Sequence, residues 1–138
     1  MVVTVSNIFA IDPAVANAVA KMLETVTTTA GTGSRARVEN YRIAGKTGTS
    51  HKVSASGYAA ARYVSSFSGF GPVSNPRLVC VVVINDPTGD EYYGGLVAAP
   101  LFSEVMTGAM RILNIPPDDY PTMLVDAGEV NSNNAEGQ

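Results

Sequence analysis

The fold is decided by residues 41–49, which read Tyr-Arg-Ile-Ala-Gly-Lys-Thr-Gly-Thr. Apolar and polar side chains alternate at the start of this stretch, which predicts an extended segment over residues 37–50. Because successive side chains of a strand point to opposite faces, Lys46 and Gly48 should share one face and Thr47 and Thr49 the other. The segment therefore combines a cation, two hydroxyls and a residue without a Cβ atom.

A helix is predicted upstream of this segment. Asp12 is placed to accept hydrogen bonds from exposed backbone N–H groups as the N-cap, and Pro13 suits the first helical position. We expect the helix to end in the β-branched residues 27–29, before Gly31. Apolar residues at spacings of three and four place one face of this helix toward a core: Val15, Val19, Met22, Leu23 and Val26.

Two further strands are predicted downstream. Residues 53–61 are rich in Gly, Ser and Ala and predict a loop, whereas Tyr63 to Gly71 alternates as a strand does. Residues 72–77 contain Asn-Pro and predict a turn. The unbroken apolar run from Leu78 to Ile84 predicts a strand that is buried on both faces.

A second helix and a tail complete the pattern. Residues 85–95 are polar and Gly-rich and predict a loop, after which Pro100 begins a helix that runs to about Asn114. Residues 115–138 hold three prolines and a polar end, which predicts disorder, and we place the domain over residues 1–117 and the tail over 118–138. The expected buried stripe of the second helix is Phe102, Val105, Met106, Ala109, Ile112 and Leu113.

This order of elements predicts an α+β fold with an antiparallel sheet and flanking helices. A short β-like run, Val2 to Val5, precedes the first helix without an obvious partner. Charged residues make up only 15% of the chain, which suggests either that much of its surface is meant to be covered or that the chain is part of something larger.

Composition excludes several classes of function. A net charge of -3 with nine scattered basic residues argues against a nucleic-acid partner. Cys80 is the only cysteine and is interpreted as a small buried hydrophobe, and the single histidine, His51, offers no metal site, so we expect no metal and no cofactor. No stretch approaches the ~20 apolar residues of a membrane span, and the first residues do not form a signal peptide. Any export signal or anchor is expected outside this chain.

Two glycine-rich motifs resemble nucleotide-binding loops, but the residues and elements around them do not support that function. Residues 31–36, Gly-Thr-Gly-Ser-Arg-Ala, match the spacing of a dinucleotide loop but follow a helix, and no acidic residue near position 56 is present to hold a ribose. Gly45-Lys46-Thr47 matches the end of a phosphate-binding loop, yet Asn40 stands where that loop needs glycine, and a strand follows instead of a helix. Neither motif predicts a nucleotide site.

A third interpretation is that Lys46-Thr47-Gly48 resembles the Lys-Thr-Gly element of penicillin-binding proteins and serine β-lactamases. A lysine beside a nucleophile lowers the free energy of anion formation and attracts a substrate carboxylate. The hydroxyls of Thr47 and Thr49 can donate to that carboxylate, and Gly48 leaves room for a substrate backbone. These three residues alone would equally fit an edge strand with a solvated lysine.

The surrounding sequence strengthens the resemblance. Residues 41–49 are similar to the substrate strand of class B penicillin-binding proteins, especially the septal enzymes of Gram-negative bacteria. The Asp12-Pro13 helix and the Gly31-Thr32-Gly33 loop resemble that family as well, and the resemblance covers about residues 8–117. The similar blocks that follow in order are 67–72, 81–87, 92–95 and 99–102. The resemblance implies part of the transpeptidase fold that these proteins share with serine β-lactamases.

The resemblance also implies roles for individual residues. The backbone N–H of Thr49 would be one of two oxyanion-hole donors, and Lys46 would take part in proton transfer. Lys46, Thr47, Gly48 and Thr49 would bind a stem peptide or a β-lactam. Tyr92 and Tyr93 would either form an aromatic lip of the groove or pack over the C-terminal helix, and the sequence leaves both readings open.

The chain departs from the family in one respect. The family needs Ser-x-x-Lys for its nucleophile and base, and no lysine here has a serine three residues before it. Ser132-Asn133-Asn134 matches the second family motif, Ser-x-Asn, only as a string in the polar tail. We therefore expect a part of a longer protein that supplies the substrate strand and is inactive alone.

The resemblance implies a parent that is a serine-type peptidoglycan D,D-transpeptidase of cell division. Its partners would be the D-Ala-D-Ala stem peptide, β-lactam antibiotics and division proteins. It would sit in the inner membrane with this domain in the periplasm, and the exposed strand edge of the present chain would favour self-association. The alternatives are part of a serine β-lactamase or penicillin sensor, and a non-catalytic interaction fragment.

Overall fold

The computed structural model describes residues 11–54 and 57–120. The β-like run at residues 2–5 and the Ser-x-Asn string at 132–134 lie outside the described residues. Within the described ranges, no helix is long and apolar enough to cross a membrane. The elements are α1 (Pro13–Glu24), two short 3-10 turns (Thr25–Thr27 and Ser34–Ala36), β1 (Ala44–Ser54), β2 (Gly57–Gly71), β3 (Leu78–Asn85) and α2 (Gly94–Ile112).

The three strands form one antiparallel sheet in the order β1-β2-β3. Helix α2 packs on one face of this sheet and contacts all three strands. This arrangement confirms the α+β fold with an antiparallel sheet and flanking helices.

The core lies between the sheet and α2. Phe67 of β2 and Phe102 of α2 are both fully buried, and their rings meet edge to face with centroids 4.7 Å apart. Aromatic pairs favour this geometry because the positive ring edge meets the negative ring face. Met106 and Met110 extend the core along α2, and Gly69 gives the Phe102 ring room, since a Cβ atom there would lie 2.9 Å from its tip.

Helix α1 begins as predicted, with Pro13 at its start and Asp12 Oδ1 accepting from Ala14 N at 2.8 Å. Its apolar stripe is present but is not buried, and Val15, Val19 and Met22 are exposed. The start of this apolar face is therefore uncovered among the described residues, whereas Val26, just after the helix, packs against the core.

The hairpin between β1 and β2 is longer and tighter than predicted. The prediction of a loop at residues 53–61 was wrong, because β1 continues to Ser54 and β2 starts at Gly57. Cross-strand pairing overrides the weak β-propensity of small residues. The predicted extended segment 37–50 is a strand only from Ala44, since Asn40 adopts a φ of 65° in a tight turn that pairs Val38 with Tyr41.

Strand β3 was predicted to be buried on both faces, and this was wrong. Val79, Val81 and Val83 are 78%, 60% and 60% exposed, whereas Val82 faces α2 and is buried. An apolar run predicts a strand, but it does not say how many layers cover that strand. Cys80 is half-buried on the α2 side, and burial raises the pKa of its thiol, in keeping with a small hydrophobe.

Helix α2 begins at Gly94, six residues before the predicted start at Pro100. Proline inside a helix removes the N–H that would bond to the carbonyl four residues earlier, here that of Leu96. The Arg35 guanidinium donates to this Leu96 carbonyl at 3.3 Å and replaces the lost bond. The helix therefore tolerates Pro100 through a tertiary contact that the local pattern does not reveal.

The stripe predicted for α2 was partly wrong. Phe102 and Met106 are buried, but Val105, Ile112 and Leu113 are exposed. The buried row instead continues at four-residue spacing to Met110, which the prediction missed.

Residues 115–120, for which the sequence predicts disorder, make specific contacts with the rest of the fold. Ile115 is buried, and its carbonyl accepts from the Tyr41 hydroxyl at 2.6 Å. The Asp118 carboxylate accepts from the backbone N–H of Arg42 at 2.7 Å and of Ser74 at 3.0 Å. The segment thus ties the approach to β1 to the turn between β2 and β3.

We predict that Asp118→Ala lowers the free energy of unfolding by about 2 kcal/mol, because two backbone N–H groups lose a charged acceptor. The matched control is Asp119→Ala, since Asp119 holds Asn40 through its backbone N–H and not through its side chain. Urea denaturation of both variants measures the difference. Equal midpoints for the two variants would show that the carboxylate of Asp118 does not hold the segment.

Candidate functional site along strand β1

The two faces of β1 carry different chemistry, as the alternation of residues 46–49 predicts. Lys46 pairs with Ser68 and Gly48 with Ser66, and a Cβ atom on Gly48 would collide with the Ser66 hydroxyl. These side chains therefore lie on the face of the sheet away from α2. Thr49 lies on the α2 side, where its hydroxyl accepts from Gly94 N at 3.0 Å.

Lys46 is exposed on this outer face. Its Nζ donates to the backbone carbonyl of Thr47 at 2.9 Å. Within residues 11–54 and 57–120, no carboxylate comes within ion-pair distance of Lys46. The ammonium group is therefore positioned by the backbone and is not neutralised by a described side chain.

The N-terminus of α2 sits directly against β1 and β2. A Cβ atom on Gly94 would collide with the backbone carbonyl oxygens of Ser66 and Gly48, and one on Gly95 would collide with that of Thr32. Only glycine allows this approach. The partial positive charge of a helix N-terminus is thereby brought beside the hydroxyls of β1, in an arrangement that favours an anion.

A cleft of about 270 Å³ opens where β1, the loop at residues 31–33 and the start of α2 meet. The hydroxyls of Thr32 and Thr47 lie 3.2 Å apart in a hydrogen bond across its floor. The cleft is lined by Thr32, Thr47, Thr49, Tyr93, Gly94, Gly95 and Leu96. Sequence reasoning missed Thr32 as a site residue, although the loop that carries it belongs to the blocks of family resemblance.

Neither nucleotide motif has the structure that it would need. The loop at residues 31–33 leads into the short 3-10 turn Ser34–Ala36 and not into an α-helix whose N-terminus could bind a pyrophosphate. Lys46 lies within β1 and not in a phosphate-wrapping loop. The described residues also contain no group of three or more His, Cys, Asp or Glu placed to hold a metal ion.

Tyr92 and Tyr93 belong to a row of aromatic rings beside the cleft. Tyr92 stacks on Tyr63 of β2 with centroids 4.0 Å apart, and on Tyr93 at 4.5 Å. The ring of His51 lies 4.6 Å from Tyr63 at the other end of the row. The backbone carbonyl of Tyr92 accepts from the buried Ser65 hydroxyl, which fixes the row to the sheet. Sequence reasoning missed Tyr63, which joins Tyr92 to β2.

Tyr93 is the exposed end of this row and lines the cleft. Its hydroxyl shares a hydrogen bond with that of Tyr92 at 3.2 Å. The hydrogen bond with Tyr92 raises the pKa of Tyr93 above its ordinary value, which favours the neutral hydroxyl. Tyr93 can therefore present a neutral donor and a flat apolar surface to a bound molecule.

The predicted site residues thus meet along β1, but they approach it from two sides. Lys46 and Gly48 lie on the outer face, and Thr47, Thr49 and Tyr93 lie on the cleft side. Among the described residues, β1 pairs with a neighbour on one side only. Alternate N–H groups of an edge strand point away from its partner, so the free edge of β1 is where an extended substrate can reach both sets of groups.

Comparison with known proteins identifies relatives of this arrangement. The family model described as penicillin binding protein transpeptidase domain matches residues 2–107. The chain is 48% identical over 110 residues to a probable peptidoglycan D,D-transpeptidase, PbpC of Pseudomonas aeruginosa, covering 80% of this chain and 20% of that protein. It is 44% identical over 119 residues to the peptidoglycan D,D-transpeptidase FtsI of Escherichia coli K12, covering 86% and 20%.

A solved structure has the same fold. The apo transpeptidase domain of Burkholderia pseudomallei penicillin-binding protein 3 superposes with a TM-score of 0.71 at 40% identity, covering 79% of this chain and 33% of that one. The chain spans about a fifth of the length of the curated relatives described above and a third of this solved domain.

We predict that Gly94→Ala lowers the free energy of unfolding by about 2 kcal/mol or more, because the new methyl group meets two backbone oxygens that cannot move aside. Gly108→Ala is the matched control in the same helix, where an added Cβ atom meets nothing within 4 Å. Alanine there should stabilise by about 0.8 kcal/mol through helix propensity. Urea denaturation checks both signs, and two stabilising substitutions would contradict the close approach of α2 to β1.

Proposed function

Because the chain belongs to the penicillin-binding protein transpeptidase family, we propose that it supplies the substrate-binding wall of a class B peptidoglycan D,D-transpeptidase of cell division. One observation carries this proposal: a free strand edge with Lys46 on one face and the hydroxyl-lined cleft of Thr47 and Thr49 on the other. The assignment to cell division rests on the similarity to FtsI.

In the proposed reaction, a serine outside this chain attacks the carbonyl of the penultimate D-Ala of a stem peptide. The D-Ala-D-Ala amide bond breaks, the terminal D-Ala leaves with a proton on its nitrogen, and an acyl-enzyme remains. The amine of a neighbouring stem peptide then attacks the ester, which forms the cross-link and releases the serine. A β-lactam reacts in the first step and stays bound to the serine.

The chain would contribute charge and orientation to this chemistry. Lys46, exposed and positioned by the Thr47 carbonyl, would favour deprotonation of a serine brought against the outer face. The backbone N–H of Thr49 would donate to the developing oxyanion, and the removal of one such donor costs about 3–4 kcal/mol in other acyl-transfer enzymes. The unpaired edge of β1 is consistent with a free N–H group there.

The cleft would hold the substrate carboxylate. The hydroxyls of Thr47 and Thr49 and the N-terminus of α2 converge on a space of about 270 Å³. Gly48 would let the substrate backbone approach the strand, and Tyr92 and Tyr93 would form the aromatic side of the groove. A helix N-terminus beside hydroxyl donors is a favourable environment for a carboxylate.

The alternatives are less well supported. A serine β-lactamase or a penicillin sensor is not favoured, because the relatives that match most of this chain are named D,D-transpeptidases. A purely non-catalytic interaction role would require that the chain not restore acylation when it is joined to a serine-bearing portion.

We also propose a location and partners for the parent protein. We expect it to be anchored in the inner membrane, with this domain in the periplasm where peptidoglycan is made, and to bind other division proteins there. The isolated chain is expected to self-associate, because β3 has an unpaired, apolar edge among the described residues.

We predict that the isolated chain does not form a covalent adduct with a fluorescent penicillin, because its sequence contains no Ser-x-x-Lys motif to supply the attacking serine oxygen. A single-polypeptide hybrid, in which this chain replaces the matching third of the Burkholderia pseudomallei transpeptidase domain, should be labelled. Gel fluorescence of the purified proteins measures both results. Labelling of the isolated chain would refute the proposed division of roles.

Within that hybrid, Lys46→Ala should slow acylation about 100-fold or more, as expected when a group that assists proton transfer is removed. Lys52→Ala is the matched control, since Lys52 lies further along the same strand and pairs with Asp86 at 3.8 Å. Stopped-flow acylation rates distinguish the two. Equal rates for the two variants would exclude Lys46 from the chemistry.

Light scattering of the isolated chain should give a mass that rises with concentration. The unpaired edge of β3 and its exposed valines provide the contact between copies. A monodisperse monomer across the whole concentration range would contradict self-association.

A further inference from the structure

The first turn of α2 forms one wall of the cleft, although its own sequence supports it weakly. It begins with two glycines, which are among the least favourable residues in a helix, and Tyr93 at its N-cap makes no side-chain capping hydrogen bond. Pro100 follows in the second turn and cannot donate to the Leu96 carbonyl, which its ring also crowds. Leu96 lines the cleft, so contacts from outside the helix must hold this wall in place.

Thr49 and Arg35 supply such contacts from two different elements. The Thr49 hydroxyl of β1 accepts from the Gly94 N–H at 3.0 Å. Nη1 of Arg35 donates to the Leu96 carbonyl at 3.3 Å. Arg35 is not among the residues that line the cleft, so any effect that it has on a bound molecule must act through the helix.

The position of Arg35 is fixed by the opposite wall of the cleft. Arg35 lies in the 3-10 turn Ser34–Ala36, directly after the loop that lines the cleft, and Ala36 is fully buried. A Cβ atom on Gly33 would lie 2.6 Å from the ring of Phe67, so the start of the turn packs closely on the core. Arg35 therefore ties the loop wall of the cleft to the α2 wall.

Arg35 has a second partner, and the two partners are not equivalent. The same Nη1 atom lies 3.2 Å from Oε2 of Glu91, and both side chains of this ion pair are about half exposed. Exposed ion pairs of this kind contribute little stability. The Leu96 carbonyl, in contrast, has lost its helical donor to Pro100. Water can satisfy that carbonyl but cannot hold it at a fixed distance from the turn, so we expect the contact with Leu96 to position the helix.

We propose that Arg35 is a positioning residue for the substrate carboxylate, although it does not touch the substrate. It holds the first turn of α2 at the distance from the cleft loop at which the helix N-terminus and the hydroxyls of Thr47 and Thr49 can bind one carboxylate together. A displacement of about 1 Å in a positioned group can cost about 100-fold in rate. This inference rests on the proposed function and deepens it.

The test uses the single-polypeptide hybrid and two ligands, the fluorescent penicillin and its methyl ester, which lacks the carboxylate charge. Arg35→Met keeps most of the side-chain length and removes every donor. The second-order rate constant for acylation by the penicillin should fall about tenfold through weaker initial binding, as expected when a charge-assisted hydrogen bond is lost. The rate constant for the ester should hardly change, because the ester presents no carboxylate to the cleft. Equal losses for both ligands would indicate general damage to the fold and would overturn the proposal.

Two matched controls lie in the same region. Arg37→Met removes another exposed arginine at the end of the turn, and the side chain of Arg37 makes no ion pair with a described residue. Glu91→Gln removes the charge that pairs with Arg35 and leaves the Leu96 carbonyl in place. Both variants should retain the preference for the penicillin over its ester. A loss as large as that of Arg35→Met in either control would contradict positioning through the carbonyl.

Pro100→Ala tests the route through Leu96 directly. Alanine supplies the missing N–H, so the Leu96 carbonyl gains a donor within the helix and the first turn no longer depends on Arg35. With Pro100→Ala already present, Arg35→Met should reduce acylation by the penicillin less than about threefold, because the two changes act on one carbonyl and are not additive. A loss equal to that seen with Pro100 in place would show that Arg35 does not act through this carbonyl.

Amide hydrogen exchange in the hybrid reports on the first turn of α2 without any reaction. The N–H groups of Leu96 and Val97 both donate to the Tyr93 carbonyl, at 2.8 and 3.0 Å. Arg35→Met should raise their exchange rates about tenfold through local opening, whereas Arg37→Met should not. Unchanged exchange, or faster exchange with the preference for the penicillin intact, would overturn the proposal.

The unaltered hybrid separates this inference from the proposed function. If it is not acylated, or if it reacts as readily with the ester as with the penicillin, the proposed function of the cleft fails and the inference fails with it. If it is acylated with the expected preference but Arg35→Met behaves like Arg37→Met, only the role of Arg35 is wrong and the proposed function stands.

Discussion

The close approach of α2 to the edge of the sheet is the constraint on which the site depends. Two consecutive glycines, Gly94 and Gly95, lie where any Cβ atom would strike backbone oxygens of β1, β2 or the loop at residue 32. Because the backbones are this close, the Gly94 N–H donates to the Thr49 hydroxyl. Further along the same helix, the ring of Phe102 meets that of Phe67 edge to face. The cleft and the core therefore both depend on the packing of α2 against the sheet.

That approach also explains how an unfavourable local sequence forms a helix. Two glycines followed by a proline at position 100 contradict helix propensity, and the local pattern predicts a later start. The missing hydrogen bond at the Leu96 carbonyl is replaced by Arg35, which also contacts Glu91 at 3.2 Å. The 3-10 turn that follows the cleft loop is thereby joined to the helix. Tertiary contacts stabilise the first turns, and no sequence window contains both partners.

The sequence predicted those features that depend on neighbouring residues. The Asp12 cap and the faces of Lys46 and Thr49 follow from spacing, and the antiparallel sheet follows from the order of the elements along the chain. The structure agrees with these predictions. Features that depend on distant partners were missed. Thr32 enters the cleft through a contact with Thr47, and Asp118 orders the end of the chain through Arg42 and Ser74. Their side chains carry no periodic signal.

The error at β3 shows why burial is the hardest property to infer. A run of valines and isoleucine indicates that both faces of a strand are suited to an apolar environment, and the α2 side confirms this for Val82. On the other side, Val79, Val81 and Val83 meet no described element. The valines share that side with Lys46, so one sheet face carries both an apolar row and an exposed cation. Hydrophobicity along one strand therefore does not predict the chemistry of the face to which that strand contributes.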